Sequence, residues 1–156
     1  MAEELNAGCA RPTGGPVGEE VEEKVLDRTI DKKEVIPMIQ VGKKAPDFSA
    51  PGYQNGKFIN VKLSDHLGKW VLLCFYPGDF TFVWATEISA VAEKYPEYQK
   101  LGVEVLSMSI DSMFVHKMWN DHELANMVKG GVPFPLLSDG GGRVGKVYGV
   151  YDEDAV

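Results

Sequence analysis

Cysteine and positive charge are both scarce in this sequence. Only Cys9 and Cys74 occur in 156 residues, which argues against a disulfide framework and against a cysteine-rich zinc site. Sixteen Lys and Arg residues stand against 23 Asp and Glu residues, and the net charge of -7 disfavours nucleic acid and anionic membranes as partners. With so few thiols, the compartment that we expect is a reducing cytoplasm.

Long hydrophobic runs are missing as well. The first residues include Glu3 and Glu4 and no apolar stretch, so no secretory signal peptide is predicted.

His116 and His122 lie six residues apart on a predicted helix and would point away from each other, so no metal site is predicted. The remaining composition, 44% hydrophobic and 25% charged, is typical of one globular domain with a tail.

The N-terminal part of the chain differs in composition from the rest. Residues 1–18 are rich in Gly, Pro and Ala without periodicity, which is typical of a disordered arm that would expose Cys9. Residues 19–36 are highly charged and fit either a short surface helix or a solvated charge run, and Pro37 would end any helix. We therefore predict a flexible acidic extension over residues 1–37 and a folded domain over residues 38–156.

Several strands are predicted in the folded part. Apolar and polar residues alternate around Asn55-Gly56, a dipeptide typical of type I′ turns, so a β-hairpin is predicted over residues 47–63. Residues 69–76, which include Cys74 as a small hydrophobic side chain, are too apolar for a half-exposed strand and are predicted to be central in a sheet. Two more strands are predicted over residues 103–110 and 134–138.

Helical patterns alternate with these strands. The longest runs from Trp84 to about Leu101, and Pro96 is expected to kink or divide it. Asp111 and Ser112 would cap a second helix, and a short third helix is predicted over residues 143–148, after the glycines. Strands that alternate with helices predict an α/β sheet protein.

The stretch FYPGDFTFVWATEI, residues 75–88, joins the apolar strand to the long helix. A Pro-Gly turn here places side chains at a helix N-terminus, where unpaired backbone N–H groups and the helix dipole stabilise an anion. A thiolate suits such a place because its pKa falls there.

Pro77, Thr81 and position 84 have the spacing PxxxTxxC, except that Trp84 occupies the place of the Cys. With this spacing the stretch resembles the peroxiredoxins, the alkyl hydroperoxide reductase C and thiol-specific antioxidant family. The segments MIQVGKKAPDF from Met38 and DSMFVHKMW from Asp111 are similar to the same family. The resemblance covers most of the chain and implies a thioredoxin-like α/β fold of the peroxiredoxin type.

Where the chain ends, the resemblance implies a C-terminally incomplete domain. Members of the family continue into a strand hairpin that carries an essential Arg and then into a closing helix. Arg143 precedes a short helix and does not correspond to that Arg. We therefore expect the strand that follows Leu67 to be left with an unpaired edge.

The resemblance also implies roles for individual residues. Pro77 would shield the peroxide pocket, the Thr81 hydroxyl would hydrogen-bond to the nucleophile and the peroxide, and Glu87 would orient the pocket. From the residue types alone, Pro77 ends a strand, Thr81 caps a helix and Glu87 complements the helix dipole. No cofactor is implied. The implied partners are a peroxide substrate, a thiol reductant such as a thioredoxin-like protein, and further copies of the chain in a homodimer or larger homo-oligomer.

Trp84 removes the nucleophile on which the activity of the family depends. In the family a Cys attacks the peroxide O–O bond and becomes a sulfenic acid, which an indole cannot do. The Trp codon UGG differs only in its third base from the Cys codons and from UGA, which encodes selenocysteine in some peroxiredoxins. We therefore predict a parent with Cys or selenocysteine at this position and an inactive chain as written. We also expect the indole to swing out and to unwind the first helical turn.

Two other functions compete with a peroxidase. A domain with an unpaired strand edge could be a non-catalytic assembly or binding module. Gly140, Gly142 and Gly145 fit the dinucleotide pattern GxGxxG, and with Lys146 they fit GxxxxGK. Val147 stands where a phosphate-binding loop needs Ser or Thr, so a Gly-rich turn before a helix is the favoured interpretation.

Overall fold

The structure of the protein, a computed structural model, describes residues 3–4, 15–16 and 39–155. The flexible extension predicted over residues 1–37 lies outside the described residues except for two short strands, and its predicted boundary stays a prediction. The strands are β1 (Glu3–Glu4), β2 (Gly15–Pro16), β3 (Phe48–Gln54), β4 (Lys57–Lys62), β5 (Trp70–Phe75), β6 (Val103–Ser109) and β7 (Leu136–Ser138).

Four α-helices accompany these strands, namely α1 (Phe82–Lys100), α2 (Met113–Trp119), α3 (Ala125–Met127) and α4 (Arg143–Val147). A π-helical turn, Asn120–Leu124, joins α2 to α3, and 3-10 turns lie at Leu63–His66 and Glu153–Ala155. No helix in these described ranges is long and apolar enough to cross a membrane.

All the described strands belong to one mixed sheet in the order β1-β4-β3-β7-β6-β5, and β2 pairs with β3. The pairs β5–β6 and β6–β7 are parallel, whereas β3 runs antiparallel to β4 and β7. The predicted α/β sheet with alternating strands and helices is thus confirmed.

The predicted hairpin is the link between β3 and β4. Asn55 and Gly56 have positive φ angles of 47° and 83°, as a type I′ turn requires, and Gln54 pairs with Lys57 across the turn. Type I′ turns match the right-handed twist of the flanking strands, and Asn-Gly favours this type because both residues tolerate a positive φ angle, which is why the dipeptide predicts this feature well.

Strand β5 is apolar as predicted, but its predicted central position is wrong for the part of the chain that the structure describes. It lies at the end of the sheet, where it pairs with β6 alone, and Trp70 is 78% exposed. The strand is apolar because both of its faces pack on hydrophobic clusters, Leu72 on one side and Leu73 on the other. No other described strand pairs with its outer edge, as the resemblance led us to expect.

The two clusters lie on opposite faces of the sheet. Helix α1 buries Ile88 and Tyr95 against the first face, where Trp119 and Phe134 are also fully buried. Pro96 lies inside α1 without dividing it, and the helix begins at Phe82, two residues before the predicted start. Helix α4 covers the second face through Val144.

Candidate active site

The turn over residues 76–81 links β5 to α1 at the carboxyl end of the sheet. Tyr76 extends the ladder by one bond, from its backbone N–H to the Met108 carbonyl at 3.0 Å. Thr81 then occupies the N-cap position of α1, as predicted, and its carbonyl accepts from the Ala85 N–H at 3.1 Å. Its hydroxyl does not cap the helix and instead donates to the Gly78 carbonyl at 2.9 Å. The Thr81 side chain therefore makes no capping bond to the backbone N–H groups in the first turn of α1.

Phe80 adopts a strained backbone conformation in the middle of this turn. Its φ angle is +57°, a left-handed value that costs a bulky residue about 1–2 kcal/mol. Its ring contacts that of Trp119, with centroids 6.4 Å apart. Such a conformation persists only where neighbouring bonds hold the backbone on both sides of it.

Asp79 supplies those bonds on one side of Phe80. Its carboxylate accepts from the Tyr76 hydroxyl at 2.7 Å and lies 2.7 Å from Nδ1 of His116, and its backbone N–H donates to the Asp111 carboxylate at 2.7 Å. Burial, followed by the charge of Asp79, raises the pKa of Tyr76 well above its usual range. Sequence reasoning did not identify this buried polar cluster as part of the site.

His116 is fully buried, contrary to what its polarity alone suggests. It lies three residues after Met113 and three before Trp119, which are both buried on the same face of α2. The helical spacing therefore contained the signal for its burial. Among residues 39–155 and the short described strands, no group of three or more His, Cys, Asp or Glu side chains could hold a metal ion.

Trp84 neither swings out nor unwinds the helix, so that expectation is wrong. It lies in the first turn of α1, is half-buried and packs against the hydrophobic cluster beneath the helix. Its ring centroid is 6.1 Å from that of Tyr76, at an interplanar angle of 38°. The indole has an apolar surface to cover at this junction, which favours a packed ring over an unwound helix turn.

The other predicted site residues lie around the same junction. Pro77 is exposed and lines a cleft of about 430 Å³ at the carboxyl ends of β5 and β6, together with Phe75, Tyr76, Met108 and Ile110. Clefts at this end of parallel strands are the usual ligand sites of open α/β sheets. Glu87 is exposed on α1, three residues after Trp84. The structure thus gathers Pro77, Thr81, Trp84 and Glu87 around one strand-to-helix turn, although only Pro77 among them lines the cleft.

The Gly-rich stretch is a helix cap rather than a phosphate cradle. The Asp139 carboxylate accepts from the N–H groups of Val144 at 3.0 Å and Gly145 at 2.7 Å, so the chain itself fills the place of an anion. A Cβ atom on Gly142 would lie 2.5 Å from the ring of Tyr151, which covers the turn. The structure therefore supports the turn interpretation over nucleotide binding.

Comparison with known proteins gives a consistent result. Residues 41–156 match the model of the AhpC/TSA family. The chain is 72% identical over 118 residues to the selenocysteine-containing peroxiredoxin PrxU of Peptoclostridium acidaminophilum, which covers 76% of this chain and 58% of that protein. It is 45% identical over 115 residues to the chloroplastic 2-Cys peroxiredoxin BAS1 of Hordeum vulgare, covering 73% of this chain and 55% of the relative. The chain therefore spans little more than half the length of these relatives.

Solved structures with a similar fold include reduced Plasmodium vivax 2-Cys peroxiredoxin and Enterococcus faecalis AhpC. The first has a TM-score of 0.68 at 38% identity and covers 73% of this chain and 60% of its own. The second has a TM-score of 0.64 at 39% identity and covers 70% of this chain and 64% of its own. These likenesses confirm the thioredoxin-like α/β fold that the sequence predicts.

Cys74 provides a pH-dependent test of the strand beneath this site. Burial raises the pKa of its thiol, so less of it is thiolate at pH 8 than of an exposed cysteine. Alkylation at Cys74, measured by peptide mass spectrometry, should be several-fold slower in the folded chain than in urea, and its midpoint should lie at higher pH. Equal rates in the folded and unfolded chain would contradict the half-buried position of this thiol.

Proposed function

The chain belongs to the peroxiredoxins of the AhpC/TSA family, and on that premise we propose that it derives from a selenol or thiol peroxidase. Its substrates would be hydrogen peroxide and alkyl hydroperoxides. The observation that carries the proposal is the place of position 84, in the first turn of α1 and in the PxxxTxx spacing from Pro77 and Thr81.

Selenocysteine is the parent residue that we favour at position 84, with Cys as the alternative. A relative that shares 72% of the aligned residues is named as selenocysteine-containing. The codon UGA is one base from the UGG that encodes Trp, so a single base difference separates the chain as written from such a parent. A half-buried Trp in the first turn is compatible with this origin, since the junction folds around it without unwinding.

The proposed reaction begins with a selenolate or thiolate at position 84. The positive end of α1 lowers the pKa of such a group and keeps it ionised. The anion attacks one peroxide oxygen, the O–O bond breaks, and the other oxygen leaves as water or an alcohol after it takes up a proton. The selenenic or sulfenic acid that forms is then reduced by two thiols, which release water and become a disulfide.

Three neighbouring residues would support this chemistry. The Thr81 hydroxyl lies one helical turn from position 84 and would hydrogen-bond to the anion and the peroxide in place of the Gly78 carbonyl. Pro77, which lines the cleft, would limit the access of water, and Glu87, exposed on α1, would orient the pocket by hydrogen bonds. The reductant would be a thiol protein of the thioredoxin type, and the working form a cytoplasmic homodimer or larger homo-oligomer without nucleic-acid or membrane partners.

The codon at position 84 tests the proposed parent directly. Sequencing of the native gene should show TGA, TGC or TGT at this position, because TGC and TGT encode Cys and TGA can be read as selenocysteine. A genomic TGG codon would overturn the proposal of a selenol or thiol parent.

Peroxide consumption tests the inactive state of the chain as written. With a thiol reductant present, the chain should consume hydrogen peroxide no faster than buffer, because an indole cannot attack the O–O bond. Trp84→Cys in this chain should recover little, because the resemblance places an essential Arg outside residues 1–156. Turnover by the unmodified chain above that of a heat-unfolded control would refute the proposed dependence on position 84.

A non-catalytic assembly module is the second candidate, and the outer edge of β5 favours it. Among the described strands β5 pairs with β6 alone, and exposed Trp70 begins this edge. An apolar strand with free ladder groups recruits another strand. We propose a second copy of the chain as the partner.

Mass in solution distinguishes this candidate from a simple monomer. Light scattering after size exclusion should give a dimer or a larger species, and Trp70→Lys should shift it towards monomer because charge blunts a strand edge. Val41→Lys is the matched control, since Val41 is exposed outside the strand. A folded monomer before any substitution would count against the assembly module.

A further inference from the structure

We infer that His116 and Asp79 are positioning residues that hold the turn 76–81, and with it position 84, through one shared proton. The geometry stands on the contacts alone, whereas the importance of position 84 rests on the proposed peroxidase function. Neither residue belongs to the set that the family resemblance singles out, namely Pro77, Thr81, Trp84 and Glu87.

The two ring nitrogens of His116 determine the number of protons in this pair. Nε2 lies 3.0 Å from the carbonyl oxygen of Leu137, which can only accept, so Nε2 carries a proton. Nδ1 lies 2.7 Å from Oδ2 of Asp79, and two lone pairs at that distance would repel each other. A second proton therefore lies between Nδ1 and Oδ2, whether the ring or the carboxyl group holds it. In either arrangement the pair is neutral overall, which suits side chains that are 0% and 1% exposed.

This pair connects the turn to elements that are distant along the chain. His116 belongs to α2 and bonds to β7 through Leu137, while Asp79 bonds to Tyr76 at the end of β5. Asp111, before α2, accepts from the Asp79 backbone N–H. Three side chains, those of Tyr76, Asp111 and His116, thus bond to Asp79, the residue that precedes strained Phe80.

Loss of the His116–Asp79 contact should therefore release the strain at Phe80. The backbone would relax towards an ordinary φ angle, and the start of α1 would move with it. Because Thr81 and position 84 lie within four residues of Phe80, their orientation depends on this contact although neither touches His116 directly in the described bonds.

Two amide substitutions at position 116 distinguish this positioning role from an effect on overall stability. An Asn side chain reaches as far as ring atom Nδ1 and can still donate to Asp79, whereas a Gln side chain reaches as far as Nε2 and keeps only the Leu137 bond. Each variant loses one hydrogen bond, but only His116→Gln loses the bond to the turn. Asp79→Asn is a further control, because its amide can donate to Nδ1 and accept from Tyr76 with a neutral ring.

Amide hydrogen exchange in the chain with Trp84 measures the effect without any peroxide chemistry. In His116→Gln, exchange over residues 76–86 should rise about tenfold relative to the β3–β4 hairpin, as expected for local opening after loss of a buried hydrogen bond. His116→Asn and Asp79→Asn should leave this ratio close to that of the parent. Equal effects of Gln and Asn at position 116, or a uniform rise across both segments, would overturn the inference. If His116→Gln does not fold, Asp79→Ala against Asp79→Asn makes the same comparison from the turn.

The thiol introduced by Trp84→Cys tests the link to position 84. Its pKa, obtained from the pH profile of alkylation at that peptide, should be higher with His116→Gln than with His116→Asn, because the helix N-terminus no longer faces the thiol. The same pKa in both backgrounds would overturn the positioning role. Because alkylation requires no turnover, the thiol pKa can be compared between the two backgrounds even if the peroxidase proposal fails.

Discussion

The contact between Asp79 and His116 is the constraint on which the candidate site depends. It joins a turn that follows β5 to a helix that follows β6, and it does so in a place without access to water. A buried carboxyl group is costly unless it is hydrogen-bonded, and here the Tyr76 hydroxyl bonds to one of its oxygens and the His116 ring to the other. The same bonds make it possible for Phe80 to keep a left-handed backbone between Asp79 and Thr81.

The shape of this turn determines which side chains position 84 can accommodate. Because α1 begins at Phe82, the side chain at position 84 lies in the first helical turn, where the helix dipole favours a negative charge. The surface beneath it is apolar and is formed by Tyr76 and the hydrophobic cluster under the helix. An indole packs well on such a surface, whereas a selenolate or thiolate would be stabilised by the helix dipole instead. The same junction is therefore compatible with both the residue that is present and the chemistry that the family implies.

The neighbouring strand edge and cleft are consequences of the sheet order. Strand β5 is the last of the described strands in the sheet order, so one of its edges has no described partner, whereas the cleft beside Pro77 lies at the carboxyl ends of β5 and β6. The Gly-rich turn, in contrast, is satisfied internally by Asp139 and leaves no place for a phosphate.

The sequence alone determined those features that depend on short stretches of chain. The Asn55-Gly56 turn, the order of strands and helices and the N-cap at Thr81 follow from local backbone preferences and side-chain periodicity. The spacing around position 84 is also local, but it has a meaning only through the resemblance to the family. Only the tertiary structure decided the edge position of β5, the packing of Trp84 and the pairing of His116 with Asp79, residues 37 apart in the chain. The physical reason is that a strand order, an apolar packing surface and a buried pair that shares a proton form only when distant segments of the chain come into contact.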